Sequence, residues 1–587
     1  MKSKDERTGV NQPCDALQAE RETRHQKIKA FDFRSIFQAT SFVIPPSALR
    51  VHHSAFKLRP SSLIPRLSSI VPLLLLLCLT VPLCELRAEA SEKPRSRAER
   101  ALRKGDYELA EKLYREILKE DAGDTEARLG LSYTLYKRRN LRDSFEQARF
   151  VLAREPWSSR AHALVGLALL ATGEFRQSAE QFRIALNINN HEALAVAGMA
   201  MIDYYENRLP SSVNGFRRAV ALDSREPDYL FSLAQATART ERYKEAADAY
   251  ERFLRVAPHT DDDRRARIRG LIDFMRFLGK QKRLYMPVGE DNTVVSFEDV
   301  NNRPIVRVRV NGAKEPLRFV LDTGSGMCVI SEETARRLDI NPVARGGQAR
   351  AVGGMGRFEI VYGFLSSLEI GKTQINNVPV YIRRFYNDGT GVDGYIGLAV
   401  INKFIARVDY GSQTFALLSR EAAGKPLNQL SRRNIEIPIR TTTSGFLSGE
   451  VQLEGIERPL NFIVDTGASV SVVAQAVATS EEMDRYMQDL KMKIYGAAGV
   501  AENVKVLLLP RLTLGPLMRE RISAAVLDLD PINETTGFVQ SGILGGNFLR
   551  HFRVTFDFKK AVVQLEPLKP LDADKIVPEG EARLAKP

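Results

Sequence analysis

The stretch Phe319–Ile330 reads FVLDTGSGMCVI, and the stretch Phe462–Val473 reads FIVDTGASVSVV. Each is an apolar run followed by Asp-Thr-Gly and a tail of small residues. The two aspartates, Asp322 and Asp465, lie 143 positions apart in a chain of 587 residues. A single Asp-Thr-Gly carries little information, because chance produces one in roughly one chain in ten of this length. Two copies in matching surroundings indicate either a copy without chemistry or two halves of one site.

The spacing after each aspartate indicates two homologous units. Glycines lie 31 and 34 residues after each one, and an apolar-apolar-glycine triplet follows later, at Tyr395–Gly397 and at Ile543–Gly545. From about Val294 onward, short runs with β-branched alternation are separated by Gly, Asn and Pro. This pattern predicts an all-β region made of two lobes.

The paired pattern resembles the aspartic peptidases, in particular the retropepsin-like lobes, here joined in tandem as in a pepsin-type chain. The resemblance implies a bilobal double barrel in which Asp322 and Asp465 form a catalytic dyad. One carboxylate would take a proton from a water while its protonated partner polarises the scissile carbonyl. The implied activity is that of an aspartic endopeptidase that needs no metal and no organic cofactor. The implied boundaries are 290–425 for lobe 1, 432–568 for lobe 2 and a linker near 420–433.

The resemblance also assigns supporting roles around the dyad. Thr323 and Thr466 would exchange hydrogen bonds across the interface between the lobes. Glycines that follow them would let backbone N–H groups approach the carboxylates, and the apolar-apolar-glycine segments would pack beneath the active loops. These supporting residues are Gly324, Gly467, Ile396, Gly397, Leu544 and Gly545. Flaps that close over an extended peptide, with plain hairpin turns as the alternative, are predicted at Gly353, Gly354, Gly356, Gly496 and Gly499.

The two lobes differ directly after the Asp-Thr-Gly. Lobe 1 has Ser325 where lobe 2 has Ala468, and Cys328 where lobe 2 has Ser471. The resemblance implies that Ser325 contacts an oxygen of an aspartate, as the equivalent serine does in pepsin-like lobes. This departure in lobe 1 either tunes the dyad or marks the beginning of its loss.

A period of 34 residues runs through the first half of the chain. Aromatic or leucine residues recur at Tyr107, Leu141, Phe175, Leu209 and Tyr243. Small residues follow in register at Ala110, Ser144, Ser178, Ser212 and Ala246. Pro156 and Pro258 lie at one phase of their repeats, where a helix should stop.

This repeat resembles the tetratricopeptide repeat in its period and in its small, aromatic and proline positions. The resemblance implies an all-α solenoid over 91–280, with five repeats and a capping helix over 261–280 that has a charged outer face. A concave surface that docks a peptide or protein partner is the functional interpretation. A spacer for the next domain is the alternative.

Three hypotheses for the whole chain follow. In the first, an aspartic endopeptidase works with an intramolecular dyad beside a protein-interaction solenoid. In the second, a non-catalytic scaffold combines the solenoid with a peptide-binding cleft of protease-like shape. In the third, each lobe pairs with its counterpart in a second chain, which gives two symmetric sites.

The N-terminal part, 1–90, contains the apolar segment Ile70–Cys84, which is short for a membrane span of about 20 residues. Ala88 and Ala90 flank Glu89 in a pattern suited to signal cleavage before Ser91. A signal peptide and a membrane anchor are the two interpretations, and both predict an extracytoplasmic location for the rest of the chain. Residues 569–587 are expected to form a tail.

Charge and cysteine content argue against a nucleic-acid partner, a disulfide and a metal site. The formal net charge is +13, but basic and acidic residues are interspersed, which indicates a solvated mixed-charge surface and no nucleic-acid partner. Of the four cysteines, only Cys328 lies beyond the apolar segment. No disulfide within one mature chain is therefore expected if that segment is removed, and no Cys/His cluster predicts a metal site.

Overall fold

A computed structural model describes residues 93–290, 292–351, 357–419 and 435–568. Four predicted features lie outside these residues: the apolar segment 70–84, the lobe 1 flap glycines Gly353, Gly354 and Gly356, the linker near 420–433 and the tail 569–587. No helix within the described ranges is long and apolar enough to cross a membrane.

Residues 94–278 form consecutive helices, as the period of 34 predicts. Five successive pairs are followed by one longer helix. The bounds are α1 (Pro94–Lys104), α2 (Tyr107–Glu120), α3 (Thr125–Lys137), α4 (Leu141–Arg154), α5 (Ser159–Thr172), α6 (Phe175–Ile188), α7 (Ala193–Tyr205), α8 (Leu209–Leu222), α9 (Pro227–Arg239), α10 (Tyr243–Val256) and α11 (Asp262–Leu278).

Small residues at one phase of the repeat let the two helices of each pair approach closely. All five of them are fully buried. In the third pair, the Ser178 hydroxyl donates to the carbonyl of Gly166 on the facing helix at 2.7 Å. Polar caps begin several helices, because Asp106 accepts from the Leu109 N–H and Asp124 from the Ala127 N–H.

Helix α11 caps the solenoid, but it also packs on lobe 1. Its charged residues Arg269, Asp273 and Arg276 are exposed, in line with the predicted charged outer face. Phe274 on another face is fully buried and stacks on Tyr362 of lobe 1, with 4.1 Å between ring centroids. The sequence did not predict this contact, because the apolar residues of α11 are equally consistent with packing against the solenoid alone.

The second half of the chain is built of strands, as the β-branched alternation predicts. Lobe 1 contains β1 (Met286–Gly289), β2 (Asn292–Val300), β3 (Arg303–Val310), β4 (Leu317–Leu321), β5 (Cys328–Ser331), α12 (Glu332–Arg337), β6 (Ala344–Arg350), β7 (Arg357–Ile370), β8 (Thr373–Arg383), β9 (Gly394–Ile396), α13 (Leu398–Ile401), β10 (Ile405–Asp409) and β11 (Thr414–Leu418). Lobe 2 contains β12 (Ile435–Thr441), β13 (Leu447–Leu453), β14 (Leu460–Val464), β15 (Ser471–Ala474), α14 (Gln475–Ala478), a 3₁₀ turn (Asp484–Tyr486), β16 (Met487–Gly496), β17 (Gly499–Leu514), β18 (Leu517–Leu527), α15 (Asp530–Thr536), β19 (Gly542–Leu544), α16 (Gly546–Leu549), β20 (Phe552–Asp557) and β21 (Val562–Pro567).

The two lobes have the same strand plan around their centres. Strand β4 pairs in parallel with β9, and β14 pairs in parallel with β19. Strand β5 lies antiparallel to β9, as β15 does to β19. A shared sheet in the order β2, β11, β10, β20, β21, β12 joins the lobes, with three strands from each. The fold is therefore an all-α solenoid followed by an all-β bilobal region.

The turns between paired helices bring one edge of the solenoid onto both lobes. Glu174 forms an ion pair with Arg458 of lobe 2 at 3.4 Å. One repeat later, the Asn207 side chain donates to the backbone carbonyl of Phe558 at 2.8 Å. In the fifth repeat, Glu241 pairs with Lys403 of lobe 1 at 2.5 Å. Because these turns recur every 34 residues, the repeat also spaces the contacts with the lobes.

An aromatic residue of lobe 2 anchors this edge. Phe538 is buried between Phe175 and Tyr205 of the solenoid, with ring centroids 4.8 and 5.0 Å away. Next to it, the Val539 N–H donates to the carbonyl of Ala171 at 2.9 Å. Strand β19 begins only three residues later, so the solenoid supports a strand that lies beneath the centre of lobe 2.

We expect the contact between α11 and lobe 1 to contribute strongly to stability. Phe274→Ala should lower the free energy of unfolding by about 3–5 kcal/mol, because it removes a fully buried, stacked ring. The exposed Arg269→Ala on the same helix is the control and should change it by less than about 0.5 kcal/mol. Urea denaturation measures both. A loss below about 1 kcal/mol for Phe274→Ala would show that the contact is loose.

Candidate active site

Asp322 and Asp465 follow directly after the buried strands β4 and β14. The backbone N–H of Asp322 donates to the carbonyl of Ile396, and that of Asp465 donates to the carbonyl of Leu544, both at 3.0 Å. Because each acceptor ends the parallel partner strand, the two backbones are held in equivalent positions. The structure thus places Ile396 and Leu544 directly beside the two aspartates.

Four hydrogen bonds between the threonines and the opposite loops join the lobes. The Thr323 hydroxyl donates to the Val464 carbonyl at 2.8 Å, and the Thr466 hydroxyl donates to the Leu321 carbonyl at 2.7 Å. Each hydroxyl also accepts the backbone N–H of the other threonine at 3.1 Å. Both threonines are buried. The crossed pattern fixes the two Asp-Thr-Gly loops against each other.

The glycines of the two loops let the carboxyl groups approach the opposite lobe. A Cβ atom added at Gly324 would lie 2.3 Å from Cγ of Asp465, and one added at Gly467 would lie 2.7 Å from Oδ1 of Asp322. Neither position has room for a side chain. The two carboxyl groups are close enough to share a hydrogen bond.

The two carboxyl groups differ in the number of backbone donors around them. Asp465 Oδ1 accepts the N–H groups of Gly467 and Ala468 at 2.7 and 3.2 Å, whereas Asp322 Oδ1 accepts that of Gly324 at 2.9 Å. Burial and the neighbouring Asp465 raise the pKa of Asp322 well above its ordinary value. Burial also raises the pKa of Asp465, but these N–H donors and the hydrogen bond with Asp322 oppose the rise. The backbone donors therefore stabilise the ionised form of Asp465 more than that of Asp322.

The hydroxyl of Ser325 does not contact an aspartate in this structure. It donates to the carbonyl of Met327 at 2.7 Å, inside its own loop. The expected contact with an Asp oxygen is therefore wrong, because the tight turn after Gly324 directs this short side chain to the nearer carbonyl. Lobe 2 has Ala468 at the equivalent position, which has no hydroxyl group. Neither aspartate therefore receives a hydrogen bond from a side chain at this position.

Cys328 and Ser471 occupy equivalent positions, and each accepts a hydrogen bond from the backbone of an equivalent glycine. The N–H of Gly397 donates to Sγ of Cys328 at 3.4 Å, and the N–H of Gly545 donates to Oγ of Ser471 at 3.1 Å. Burial raises the pKa of Cys328 to about 12, so the sulfur is a neutral thiol. Lobe 1 has therefore exchanged a hydroxyl for a thiol without losing this contact.

The predicted flap of lobe 2 is a hairpin whose two arms are β16 and β17. Gly496 pairs with Gly499 at its end, and Ala497 and Ala498 form the turn. Gly499 has a φ of 135°, which a side chain would disfavour. In lobe 1, strands β6 and β7 form the corresponding hairpin, whereas Gly353, Gly354 and Gly356 lie outside the described residues.

Two residues at the site were not found from the sequence. Asn547 accepts the backbone N–H and the hydroxyl of Ser471 through one amide oxygen, at 2.9 and 2.8 Å. Its position two residues after Gly545 was a usable signal. Arg383 ends β8 and donates to the Ala497 carbonyl in the turn of the lobe 2 flap, at 2.5 Å. Arg383 lies beside another arginine, Arg384, and belongs to no recognisable motif, so the sequence did not indicate that it lies at the site.

A cavity of about 5080 Å³ contains the dyad and extends to the solenoid. Asp322 and Asp465 lie in its wall together with solenoid residues that include Tyr133, Tyr229 and Phe231. In the ranges that the structure describes, no group of three or more His, Cys, Asp or Glu side chains is arranged to hold a metal ion. The arrangement offers two coupled carboxyl groups at one end of a large, partly aromatic cavity.

Comparison with protein families follows the division into solenoid and lobes. The family model described as aspartyl protease matches residues 306–400 and 449–548, one segment in each lobe. The family model described as tetratricopeptide repeat matches residues 95–149 and 198–260. The chain therefore carries an aspartyl protease-like domain after a set of tetratricopeptide repeats, as the two resemblances imply.

Solved structures of both kinds are similar to parts of the chain. A thermophilic tetratricopeptide repeat protein from Thermus thermophilus is 22% identical, with a TM-score of 0.27, and the match covers 30% of this chain and 97% of that one. An aspartic proteinase from Irpex lacteus is 13% identical, with a TM-score of 0.34, and the match covers 48% and 99% of the two chains. MamA is 18% identical over 27% of this chain and 92% of its own, with a TM-score of 0.21. A comparison with curated proteins gives no match.

We expect the threonine hydroxyls, more than the threonine methyl groups, to hold the lobes together. Thr466→Val should lower the free energy of unfolding by about 2–5 kcal/mol, because it leaves the buried Leu321 carbonyl and Thr323 N–H without partners. Thr466→Ser keeps the hydroxyl and should cost only about 1 kcal/mol. Urea denaturation of both variants is the measurement. Equal losses for valine and serine would contradict the hydrogen-bond explanation.

Proposed function

We propose that the protein is an aspartic endopeptidase whose dyad, Asp322 and Asp465, hydrolyses peptide bonds with an activated water. The observation that carries the proposal is that two half-buried carboxyl groups, one from each lobe of the same chain, lie close enough to share a hydrogen bond. Two carboxylates this close cannot both be ionised, so the pair holds one proton and one negative charge at moderate pH. Such a pair can donate and accept a proton in one reaction.

The asymmetry of the backbone donors supports a division of roles. Ionised Asp465, stabilised by the N–H groups of Gly467 and Ala468, takes a proton from the water as that water attacks the scissile carbonyl carbon. Protonated Asp322 donates its proton to the carbonyl oxygen, which gives a neutral tetrahedral diol. In the breakdown of this intermediate, Asp465 gives its proton to the amine nitrogen, Asp322 takes a proton from one hydroxyl of the diol, and the C–N bond breaks to release an acid and an amine. The dyad then holds one proton again.

The crossed threonine contacts support an intramolecular pair over two symmetric intermolecular sites. They join lobe 1 to lobe 2 of one chain, and both threonines are buried, so each loop already has its partner loop within the same chain. A non-catalytic scaffold with a peptide-binding cleft would make the same contacts between the lobes. The two hypotheses differ in whether the chain cleaves peptides and loses that activity when a carboxyl group is removed, which the substitutions below measure.

The proposed partner of the solenoid is a polypeptide that also reaches the dyad. Lys137 at the end of α3 pairs with Glu226 and Asp228 at the start of α9, at 2.9 and 2.6 Å. These two helices belong to the second and fifth repeats, so the pairs join distant parts of the solenoid. Lys137 and Asp228 also line the cavity of the dyad. A chain bound in this cavity therefore meets solenoid side chains and both lobes.

Asp322→Asn and Asp465→Asn should each reduce kcat/KM for a cleaved peptide by at least about 100-fold, because each removes one half of the acid–base pair. The exposed Asp489→Asn, on the flap strand β16, is the matched control and should leave activity unchanged. Cleavage of a peptide library by the full-length chain is the measurement. Survival of half the activity in each dyad variant would indicate two intermolecular sites. Absence of any cleavage by the unsubstituted chain, from acidic to neutral pH, would support the non-catalytic scaffold.

The pH profile should reflect the raised pKa values of the dyad. The active form has Asp322 protonated and Asp465 ionised, so activity falls at low pH when Asp465 gains a proton and at high pH when Asp322 loses one. Because burial raises both pKa values, the alkaline limb of kcat/KM should lie above the ordinary aspartate pKa of about 3.9. Circular dichroism at each pH controls for unfolding. An alkaline limb below about pH 4 would contradict this electrostatic description.

A further inference from the structure

A half-buried cation lies beside the dyad and has no role in the mechanism described above. Arg383 is the last residue of β8, and it lines the same cavity as Asp322 and Asp465. Its positive charge acts on Asp322 and lowers the pKa of that carboxyl group against the larger effect of burial. The guanidinium therefore lies within electrostatic range of the reacting groups.

Both flap hairpins contact the guanidinium. One Nη atom donates to the carbonyl of Ala497, in the turn of the lobe 2 flap, at 2.5 Å. The guanidinium carbon also lies 4.5 Å from the ring centroid of Phe358, on strand β7 of the lobe 1 flap. These contacts hold the side chain in the cleft. An arginine has five N–H donors in a rigid fork, and the Ala497 carbonyl accepts from one of its nitrogens.

Arg383 has no carboxylate partner in the described ranges, unlike two other arginines of the same cavity. Arg303, in the same cavity, pairs with Asp388 at 2.7 Å, and Arg350 pairs with Glu534 at 3.1 Å. For Arg383, the described ranges contain no carboxylate oxygen within ion-pair distance. The segment 352–356 reads VGGMG and contains no acidic residue either.

An unpaired cation in this environment has an energetic cost. Burial lowers the pKa of Arg383, because removal from water penalises the charged guanidinium. Partly buried charges in proteins are usually paired, since their desolvation is otherwise uncompensated. A carboxylate from a bound molecule would compensate it through charge-assisted hydrogen bonds.

We propose that Arg383 is a specificity-determining residue that binds an acidic side chain, Glu or Asp, of the polypeptide substrate close to the cleaved bond. The inference rests on the proposed function, because it takes the bound polypeptide to be a substrate. The dyad itself carries one negative charge and would repel a nearby acidic side chain. Arg383 supplies a positive charge that outweighs this repulsion. An uncharged amide in place of the carboxylate would form a much weaker interaction with the guanidinium.

Paired peptides test the preference directly. Each pair differs only by Glu or Gln at one position near the cleaved bond, and kcat/KM is measured with the full-length chain. The unsubstituted chain should prefer the Glu peptide of at least one pair by roughly 10-fold or more. Arg383→Gln should lower kcat/KM for that Glu peptide by roughly 10- to 100-fold and change it for the Gln peptide by less than about threefold. Arg383→Lys should keep part of the preference, because it keeps the charge.

Arg384→Gln is the matched control. This neighbouring arginine is exposed, with its guanidinium 5.8 Å from the ring centroid of Tyr386. Its substitution should leave the Glu-to-Gln ratio unchanged. Equal losses for both peptides in Arg383→Gln would show that Arg383 only holds the flaps, and would overturn the inference. The absence of any Glu preference in the unsubstituted chain would overturn it too.

A binding measurement separates this inference from the proposed function. Fluorescence anisotropy of the same peptides on the full-length Asp465→Asn variant, with and without Arg383→Gln, reads the preference without cleavage. If no peptide is cleaved but Glu peptides bind more tightly in an Arg383-dependent way, the inference holds for a peptide-binding cleft and the proposed hydrolysis fails. If peptides are cleaved but bind equally with Glu and Gln, the hydrolysis stands and the inference fails.

Discussion

Two half-buried carboxyl groups from different lobes occupy one small space, and the rest of the protease-like region is arranged around that constraint. Their mutual repulsion is relieved only by a shared proton, which requires positions accurate to the length of a hydrogen bond. The crossed threonine contacts provide this accuracy, because each hydroxyl bonds to the backbone of the opposite loop. The glycines at the loops leave the space that the opposite carboxyl group fills.

The solenoid contributes to the same arrangement from outside. Its turns recur every 34 residues and contact lobe 2 in the third and fourth repeats and lobe 1 in the fifth. Phe538 then connects this edge to strand β19, which lies beneath Asp465. Helix α11 packs against the lobe 1 flap hairpin, where Arg267 donates to the carbonyl of Gln348 at 2.9 Å. A repeat domain that is usually considered a docking module here also serves as a support for the cleft.

Much of the fold and of the candidate site was accessible from the sequence, because both depend on short segments with regular spacing. The period of 34 predicted the helices, and β-branched alternation predicted the strands. The two Asp-Thr-Gly segments predicted which loops would meet. Prediction failed for Ser325, whose hydroxyl turns to the nearer carbonyl of Met327. Such a choice depends on distances within a single turn, and residue identity does not encode them.

Contacts between distant segments account for the other omissions. Arg383 meets Ala497, 114 positions away, and Asn207 meets the Phe558 backbone, 351 positions away. Neither residue belongs to a motif, because a contact with a backbone carbonyl leaves no trace in the sequence of its partner. The sequence by itself determined the repeat, the two homologous lobes and the pair of aspartates, since these follow from local periodicity and duplication. Only the tertiary structure decided how the surroundings of the two carboxyl groups differ, how the solenoid supports the lobes and where Arg383 faces the cleft, because burial and through-space distance set those properties.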